Sequence, residues 1–228
     1  VLIQFFKNDA GQYEKLVQNN IDTGMGVERT TAVLNGLSDN YQTVIWQPII
    51  QKIEEISAKT YSSDPRPFRI IADHLRAAIF IIADGTQPGN KEAGYVLRRL
   101  IRKSIREGKR LGIETNFGQS VGLSMIDNRP NFAGNYHEID NPNILTIIEA
   151  EENKFRKTLN IGLREIQKLI DRQKSVSGQE AFDIYQSFGF PVEMITEELK
   201  KNNLTLNIDE FNKFKSDHIA QSRTLSAG

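Results

Sequence analysis

The segment Asp22–Arg29 has the residue types that can bind a small amine next to a polyphosphate. It reads Asp-Thr-Gly-Met-Gly-Val-Glu-Arg and comes just before an apolar helical pattern. Gly24 and Gly26 permit positive φ angles and close approach of a ligand to the backbone. Asp22 can accept charged N–H groups, and the planar guanidinium of Arg29 suits phosphate oxygens. Because a loop with two glycines before a helix is also a common turn and cap, this segment alone leaves both interpretations open.

A second candidate site is the basic segment 91–113. It carries eight Lys and Arg residues against two Glu, which leaves a local charge of +6. Its leucines and isoleucines recur at steps of three and four and predict the buried face of a helix. Four arginines recur at steps of four along another face, and no acidic residue within the segment stands four positions from them. We therefore expect phosphate contact, with a solvated helix face as the alternative, from the row Arg98, Arg102, Arg106 and Arg110.

Composition narrows the class of protein. The 228 residues, 39% of them hydrophobic, suffice for a core in one large domain or two small ones. No apolar run approaches the roughly 20 residues of a membrane span, and no signal-peptide pattern opens the chain. We expect a cytoplasmic protein with no membrane partner. With no cysteine and three scattered histidines, no metal site is expected. The net charge of zero indicates no particular partner.

The pattern of elements predicts an α+β fold that is mostly α. Residues 1–6 and 16–21 are β-rich and flank turn residues, so the chain is expected to open on a hairpin. Pro65 and Pro67 are expected to stop the chain before a buried helix over 68–84. Further helices are predicted over residues 28–37, 46–59, 91–113, 117–126, 142 to about 170, 181–188, 191–202 and from 207 onward.

Helix starts and one irregular segment have their own signals. Asn141 is a predicted N-cap, with Pro142 at the first position of the long helix. Ser177 and Glu180 have the spacing of a capping box. Residues 128–135, rich in Asn and Gly, are expected to be mobile.

Five strings occur in an order and spacing that resemble the alanyl-tRNA synthetases, a family of class II aminoacyl-tRNA synthetases. One such string is a moderate signal, whereas five collinear strings strongly disfavour a mere turn and cap in the first of them. The resemblance covers essentially the whole chain. The strings are Asp22–Arg29, Arg69–Arg76, Ile82–Gly85, Gly94–Arg99 and Gly189–Pro191.

The resemblance implies that Asp22–Arg29 is motif 3 of the class II fold. Arg29 is then the catalytic residue, which binds the ATP phosphates and stabilises charge during adenylate formation. Gly24 and Gly26 bring ATP against the backbone, and Asp22 with Gly24 binds alanine. The implied reaction is attack of the alanine carboxylate on the α-phosphate of ATP, with Mg²⁺, in the intact enzyme. No cofactor is expected on this chain alone.

The resemblance also implies recognition of the tRNA-Ala acceptor stem, with a G·U pair near its end. Asn90 stands where the family places an asparagine against that pair, and its amide both donates and accepts. As an alternative or in addition, Asn90 caps the helix that follows. Gln186 replaces the family's aspartate without its charge, so weaker or altered dependence on the G·U pair is expected. The basic helix is expected to contact the RNA through Arg98, Arg99, Arg102 and Arg106.

Two function classes remain open. The first is part of an alanine–tRNA ligase: residues 1–38 would be the end of the catalytic domain, with a remnant of its antiparallel sheet, and residues 39–228 a helical tRNA-recognition domain. Motifs 1 and 2 would lie upstream and an editing domain downstream, so the isolated chain is expected to be inactive. The alternative is a non-catalytic tRNA-binding module or a degenerate paralogue. An upstream reading frame with the motif 2 arginine would favour the enzyme.

Overall fold

The computed structural model describes residues 2–21, 24–128, 137–172 and 175–225. Within these ranges two short strands are followed by nine α-helices, so the predicted α+β, mostly α fold is confirmed. The chain forms two compact units, residues 1–47 and residues 48–228. The functional division after residue 38 stays a prediction.

In the part that the structure describes, the first unit contains a β-hairpin, one α-helix and a short 3-10 helix. Strand β1 (Leu2–Lys7) pairs antiparallel with β2 (Tyr13–Ile21), in a register that sets Phe6 opposite Glu14. Gly11 takes the positive φ of 79° that the hairpin turn requires. The hairpin expected from the β-rich segments is therefore confirmed. Helix α1 (Val27–Leu34) follows and ends just before Gly36.

The second unit is entirely helical apart from turns and one isolated bridge in the part of it that the structure describes. Its prolines act differently from the sequence prediction: Pro65 and Pro67 lie inside the first turn of a helix, where a missing N–H costs no hydrogen bond. The helices are α2 (Gln47–Ser57), α3 (Pro65–Ala83), α4 (Glu92–Arg110), α5 (Gly118–Asp127), α6 (Asn143–Asp171), α7 (Gly178–Phe188), α8 (Val192–Lys201) and α9 (Ile208–Leu225).

The core of this unit lies where α3, α4 and α6 meet. Side chains at steps of three and four along α3 are fully buried, which is the pattern of a core-facing helix. Phe155 of α6 packs against Phe190, with 5.3 Å between the ring centroids. The largest buried side chains of α3 and α4 are Phe68, Ile71, Leu75, Ile79, Leu97, Ile101 and Ile105.

Local caps determine where the last helices begin. Ser177 and Glu180 form the predicted capping box at the start of α7. Asn207 Oδ1 accepts from the backbone N–H of Glu210 at 3.1 Å and caps α9. The N-cap of α6 is Pro142, one residue later than predicted, and Asn141 Oδ1 accepts from the N–H of Asn143. Most of the segment predicted to be mobile, residues 129–135, lies outside the described residues.

Candidate functional site

The glycine loop is described only in part. Asp22 lies outside the described residues, whereas Gly24 and Gly26 are exposed and Arg29 is exposed in the first turn of α1. Gly26 has an ordinary φ of −67°, so the positive φ allowed by glycine is not used there. A Cβ at Gly24 would meet no atom within 4 Å. The backbone at Gly24 is thus open to close approach of a ligand, as the assignment of ATP and alanine to this loop requires.

A cleft of about 570 Å³ in the helical unit brings together most of the residues predicted to contact tRNA. Its walls are the first half of α4, the end of α7 and parts of α6 and α9. Arg106 lies outside the cleft lining, one turn or more beyond the others on α4. The predicted residues that line the cleft are Asn90, Arg98, Arg99, Arg102 and Gln186.

The cleft is strongly basic. Besides the arginines of α4, its lining includes Lys91 before α4, Lys154 on α6 and Lys215 on α9. Among the described residues that line it, none is Asp or Glu. Cations from three elements that converge on a concave surface raise the local positive potential and attract a polyanion. The lining therefore suits a phosphate backbone better than a neutral ligand.

Two tyrosines give the cleft an aromatic wall. The ammonium of Lys215 lies 5.0 Å from the ring centroid of Tyr95 and 5.4 Å from that of Tyr185, which is cation–π geometry. Tyr95 donates its hydroxyl hydrogen to Glu193 Oε2 at 3.0 Å. Burial and the charge of Glu193 raise the pKa of Tyr95, and burial raises the pKa of Tyr185. Both side chains therefore stay neutral donors at physiological pH.

The arginine row of α4 is not a free basic stripe. Arg102 and Arg106 are only 5% and 6% exposed, so the alternative interpretation, a solvated helix face, is wrong for these two residues. Arg102 pairs with Glu151 of α6, and Arg106 pairs with Glu107 and with carboxylates of α8. Burial lowers the pKa of both guanidiniums, an effect that the neighbouring carboxylates oppose. RNA contact by the row stays a prediction.

Arg99 of the same helix is more accessible than Arg102 and Arg106. Its Nη1 lies 2.7 Å from Glu193 Oε1, and both side chains are more than a third exposed. An exposed pair of this kind contributes little to stability, about 0–1 kcal/mol. Arg99 can therefore exchange its carboxylate partner for a phosphate at small cost.

Asn90 is held by an arginine and does not cap the helix. The N-cap of α4 is Lys91, without a side-chain hydrogen bond, whereas Asn90 Oδ1 accepts from Arg98 Nη1. The loop folds back over α4 through a hydrogen bond from Gly89 N to Gly94 O at 2.9 Å. A Cβ on Gly94 would lie 2.7 Å from Gln87 O, so this approach requires glycine. The capping role considered for Asn90 is therefore wrong.

Gln186 lies in the last turn of α7, exposed at the rim of the cleft. The helix ends at Phe188, and its C-cap is Gly189, whose φ of 69° is left-handed. Arg102 Nη1 donates to the Gly189 carbonyl, so a residue on α4 helps to fix the end of the helix that carries Gln186.

Sequence reasoning missed Glu151, Lys154 and Lys215. A signal for the first was available: Glu151 and Glu152 occupy positions three and four residues after Ile148, on the apolar face of the long helix. Carboxylates at such positions are buried and need cationic partners. Lys154 and Lys215 carry no comparable signal, because they reach the cleft only through the packing of α6 and α9.

The described ranges contain neither a candidate membrane-spanning helix nor a candidate metal site. No helix within them is long and apolar enough to cross a membrane. Nor does this part of the chain hold a group of three or more His, Cys, Asp or Glu side chains that could bind a metal ion.

The chain is similar to known proteins along its full length. The model of the family described as tRNA synthetases class II (A) matches residues 1–228. A relative from Thermotoga maritima, named alanine–tRNA ligase, is 33% identical over 98% of this chain and 26% of its own length. Relatives of the same name from Pseudothermotoga lettingae and Buchnera aphidicola are 36% and 37% identical, over 100% and 97% of this chain and 27% and 25% of their own. The chain thus spans about a quarter of the length of these curated relatives.

Proposed function

The chain belongs to the family of tRNA synthetases class II (A), and we propose from this premise that it is part of a cytoplasmic alanine–tRNA ligase. In this proposal the helical unit, residues 48–228, binds the acceptor stem of tRNA-Ala in the cleft between α4 and α7. The glycine loop with Arg29 serves the activation of alanine by ATP. The naming of the relatives supports the ligase.

One observation carries the RNA-binding part of the proposal. Asn90 and Gln186 are far apart in sequence, yet both line the same basic cleft. These are the two positions at which the resemblance expects contacts to the G·U pair. A cleft that holds two amide side chains among arginines and lysines combines base-edge readout with phosphate binding.

The side chains suggest how the stem is read. In the wide, shallow minor groove of A-form RNA, base edges and 2′-hydroxyls are accessible to side chains. The Asn90 amide offers both a donor and an acceptor to those groups. Gln186 keeps an acceptor and adds donors, but it lacks the charge that would strengthen a bond to a guanine amino group. We therefore expect this chain to depend less on the G·U pair than a variant with aspartate at position 186.

The lysines around the cleft supply the part of the affinity for RNA that does not depend on the RNA base sequence. Lys91, Lys154 and Lys215 come from three different parts of the cleft lining and can contact the phosphate backbone at separate points. Each phosphate that they neutralise releases counterions, so binding should weaken steeply with salt.

The activation half rests on the loop before α1. Arg29 would bind and position the triphosphate of ATP, and the open backbone at Gly24 fits a ligand in close contact. Gly26 would complete the ATP contact and Asp22 would bind the amino group of alanine. Mg²⁺ would neutralise phosphate charge when it accompanies ATP. We expect no alanyl-adenylate from this chain alone, and pyrophosphate exchange above background would contradict that expectation.

A non-catalytic tRNA-binding module is the second candidate. It is favoured by the concentration of the described cleft and its cations in the helical unit, which would bind RNA without any activation chemistry. The coding sequence upstream of Val1 separates the two, since a class II motif 2 with its arginine belongs to the enzyme only.

Binding to acceptor-stem hairpins tests the proposal. The 228-residue chain is titrated with a labelled tRNA-Ala stem that carries the G·U pair, and with the same stem carrying A·U. We expect tighter binding to the G·U stem, and a smaller preference for Asn90→Ala. Equal affinity of wild type for both stems, or for an unrelated hairpin of the same length, would contradict acceptor-stem recognition.

A further inference from the structure

The carboxylate of Glu151 lies beneath the cleft, where it contacts two arginines that lead to different walls. Glu151 is on α6 and is only 6% exposed. Its Oε1 lies 3.4 Å from Arg98 Nε and accepts a hydrogen bond from Arg102 Nε at 2.7 Å. Both arginines belong to α4, one helical turn apart.

The first connection leads to Asn90. Arg98 contacts Glu151 through its Nε, and on the other side of the same guanidinium Nη1 donates to Asn90 Oδ1. Nη2 also donates to the Pro88 carbonyl at 3.4 Å, in the loop that carries Asn90. The planar guanidinium therefore links the buried carboxylate to the side chain and the backbone of the Asn90 loop.

The second connection leads to the end of α7. Arg102 donates from Nε to Glu151 and from Nη1 to the Gly189 carbonyl. Its guanidinium carbon also lies 5.1 Å from the ring centroid of Phe155, which restricts its movement further. Because Gly189 terminates α7, this contact fixes the last turn of the helix, which carries Gln186.

One negative charge thus serves two cations in a buried place. Without it, two guanidiniums on adjacent turns would repel each other, Arg98 would lose its ion-pair partner and Arg102 would lose a hydrogen-bond acceptor. They would then move toward the solvent in the cleft, since a buried cation needs a partner. Both Asn90 and the end of α7 would lose the group that holds them.

We propose that Glu151 is a positioning residue for acceptor-stem recognition, which orients Asn90 through Arg98 and the Gln186-bearing end of α7 through Arg102. This inference rests on the proposed function. It concerns specificity and not overall affinity for RNA, because Glu151 itself carries the wrong charge to contact a phosphate.

Glu151→Gln is the variant of choice, because it keeps size and one acceptor while it removes the charge. We expect the ratio of affinities for the G·U and A·U stems to fall by about fivefold or more, which corresponds to the energy of one base contact. If wild type prefers the G·U stem by less than about fivefold, the ratio should fall to about one. Affinity for the A·U stem should stay equal or rise, since two arginines lose their carboxylate partner and become available to phosphates. The dependence of log K on log salt should become steeper for the same reason.

Glu152→Gln is the matched control. Glu152 is the next residue on α6 and is 0% exposed. It pairs with Arg156 at 2.8 Å and accepts from Gly118 N at 2.8 Å, on the side of α5. Its loss disturbs the packing of the same helix without touching Arg98 or Arg102. Glu151→Asp is the conservative variant and should recover part of the ratio, because it keeps the charge.

The test combines hairpin titrations with the NMR signals of the Asn90 side-chain amide and the Gly189 backbone amide in the RNA-free chain. We expect Glu151→Gln to lower the G·U to A·U ratio and to shift both signals, and Glu152→Gln to do neither. Equal ratios in wild type and Glu151→Gln, or equal losses in the two Gln variants, would overturn the role of Glu151 but leave the proposed function intact. No preference by wild type would overturn the proposed function, and this recognition role with it.

Discussion

Arg102 donates a hydrogen bond from Nη1 to the Gly189 carbonyl, and its guanidinium fills the space that a Cβ on Gly189 would occupy. The contact joins α4 to the C-terminal end of α7. An arginine from the basic helix thus occupies the space beside Gly189, whose left-handed φ of 69° already favours glycine at the end of the helix with Gln186.

Gly189→Ala should therefore lower the unfolding free energy by more than the backbone strain alone would. Forcing alanine into a left-handed φ of 69° costs about 1–2 kcal/mol of unfolding free energy, and displacement of Arg102 adds to it. Gly112→Ala is the control, since Gly112 has a φ of 89° but open space around the added Cβ. Chemical denaturation should show the larger loss for Gly189→Ala. Equal losses would contradict the contact with Arg102.

Gln186→Asp should strengthen discrimination between the G·U and A·U stems. The aspartate restores a charged acceptor, which makes a stronger hydrogen bond to an amino group than a neutral amide does. We expect the affinity ratio to rise several-fold, with Gln186→Glu as the control that adds the charge on a longer side chain. An unchanged ratio in Gln186→Asp would show that position 186 does not read the pair.

Lys215→Ala should weaken binding to every stem by a similar factor. Lys215 lies over the two tyrosines and lines the cleft, where its charge can meet a phosphate. The slope of log K against log salt should fall by about 0.7–0.9 if one phosphate contact is lost, while the G·U to A·U ratio stays constant. Lys213→Ala is the control, because Lys213 is exposed on α9 outside the cleft lining. The assignment fails if the two variants behave alike.

The contact between α4 and α8 should weaken in acid. Burial alone would raise the pKa of Glu197, but the hydrogen bond and charge of Lys103, with Arg106 and Arg66, lower it below its ordinary value. The unfolded chain then takes up the proton first, at about pH 4.3. The stabilisation is complete above that pH and is lost as pH falls through the lower folded-state pKa.

Denaturation curves recorded at a series of acidic pH values measure this effect. Glu197→Gln should show a smaller loss of unfolding free energy on acidification than wild type. Glu165→Gln is the control, because Glu165 pairs with Lys168 three residues away on the surface of α6. An acid dependence of Glu197→Gln identical to that of wild type would contradict the lowered pKa.

Local signals in the sequence predicted much of the fold. The capping box at Ser177 and Glu180 and the apolar periodicity of α3 and α6 depend on residues close in sequence, and all three were confirmed. The sequence predicted the start of α3 at residue 68, whereas the helix begins at Pro65. Proline is found both where a helix is interrupted and in the first turn of a helix, so it did not decide between the two.

The environment of the arginine row could not be predicted in the same way. Arg102 and Arg106 stand four residues apart on α4, away from its apolar face, which is the pattern of an exposed face. Glu151 and the carboxylates of α8 nevertheless contact them from distant parts of the chain. Periodicity within one helix says nothing about which neighbours cover it. The convergence of Asn90 and Gln186 on one cleft was implied only by the family resemblance.

Cross-linking tests the central claim, which is that the cleft between α4 and α7 reads the acceptor stem. A tRNA-Ala hairpin with 4-thiouridine in place of the uridine of the G·U pair is irradiated in complex with the 228-residue chain, and the linked peptide is identified by mass spectrometry. The account predicts linkage to peptides that contain Asn90 or Gln186, and loss of the product when unlabelled hairpin competes. Linkage confined to peptides outside the cleft lining would contradict it.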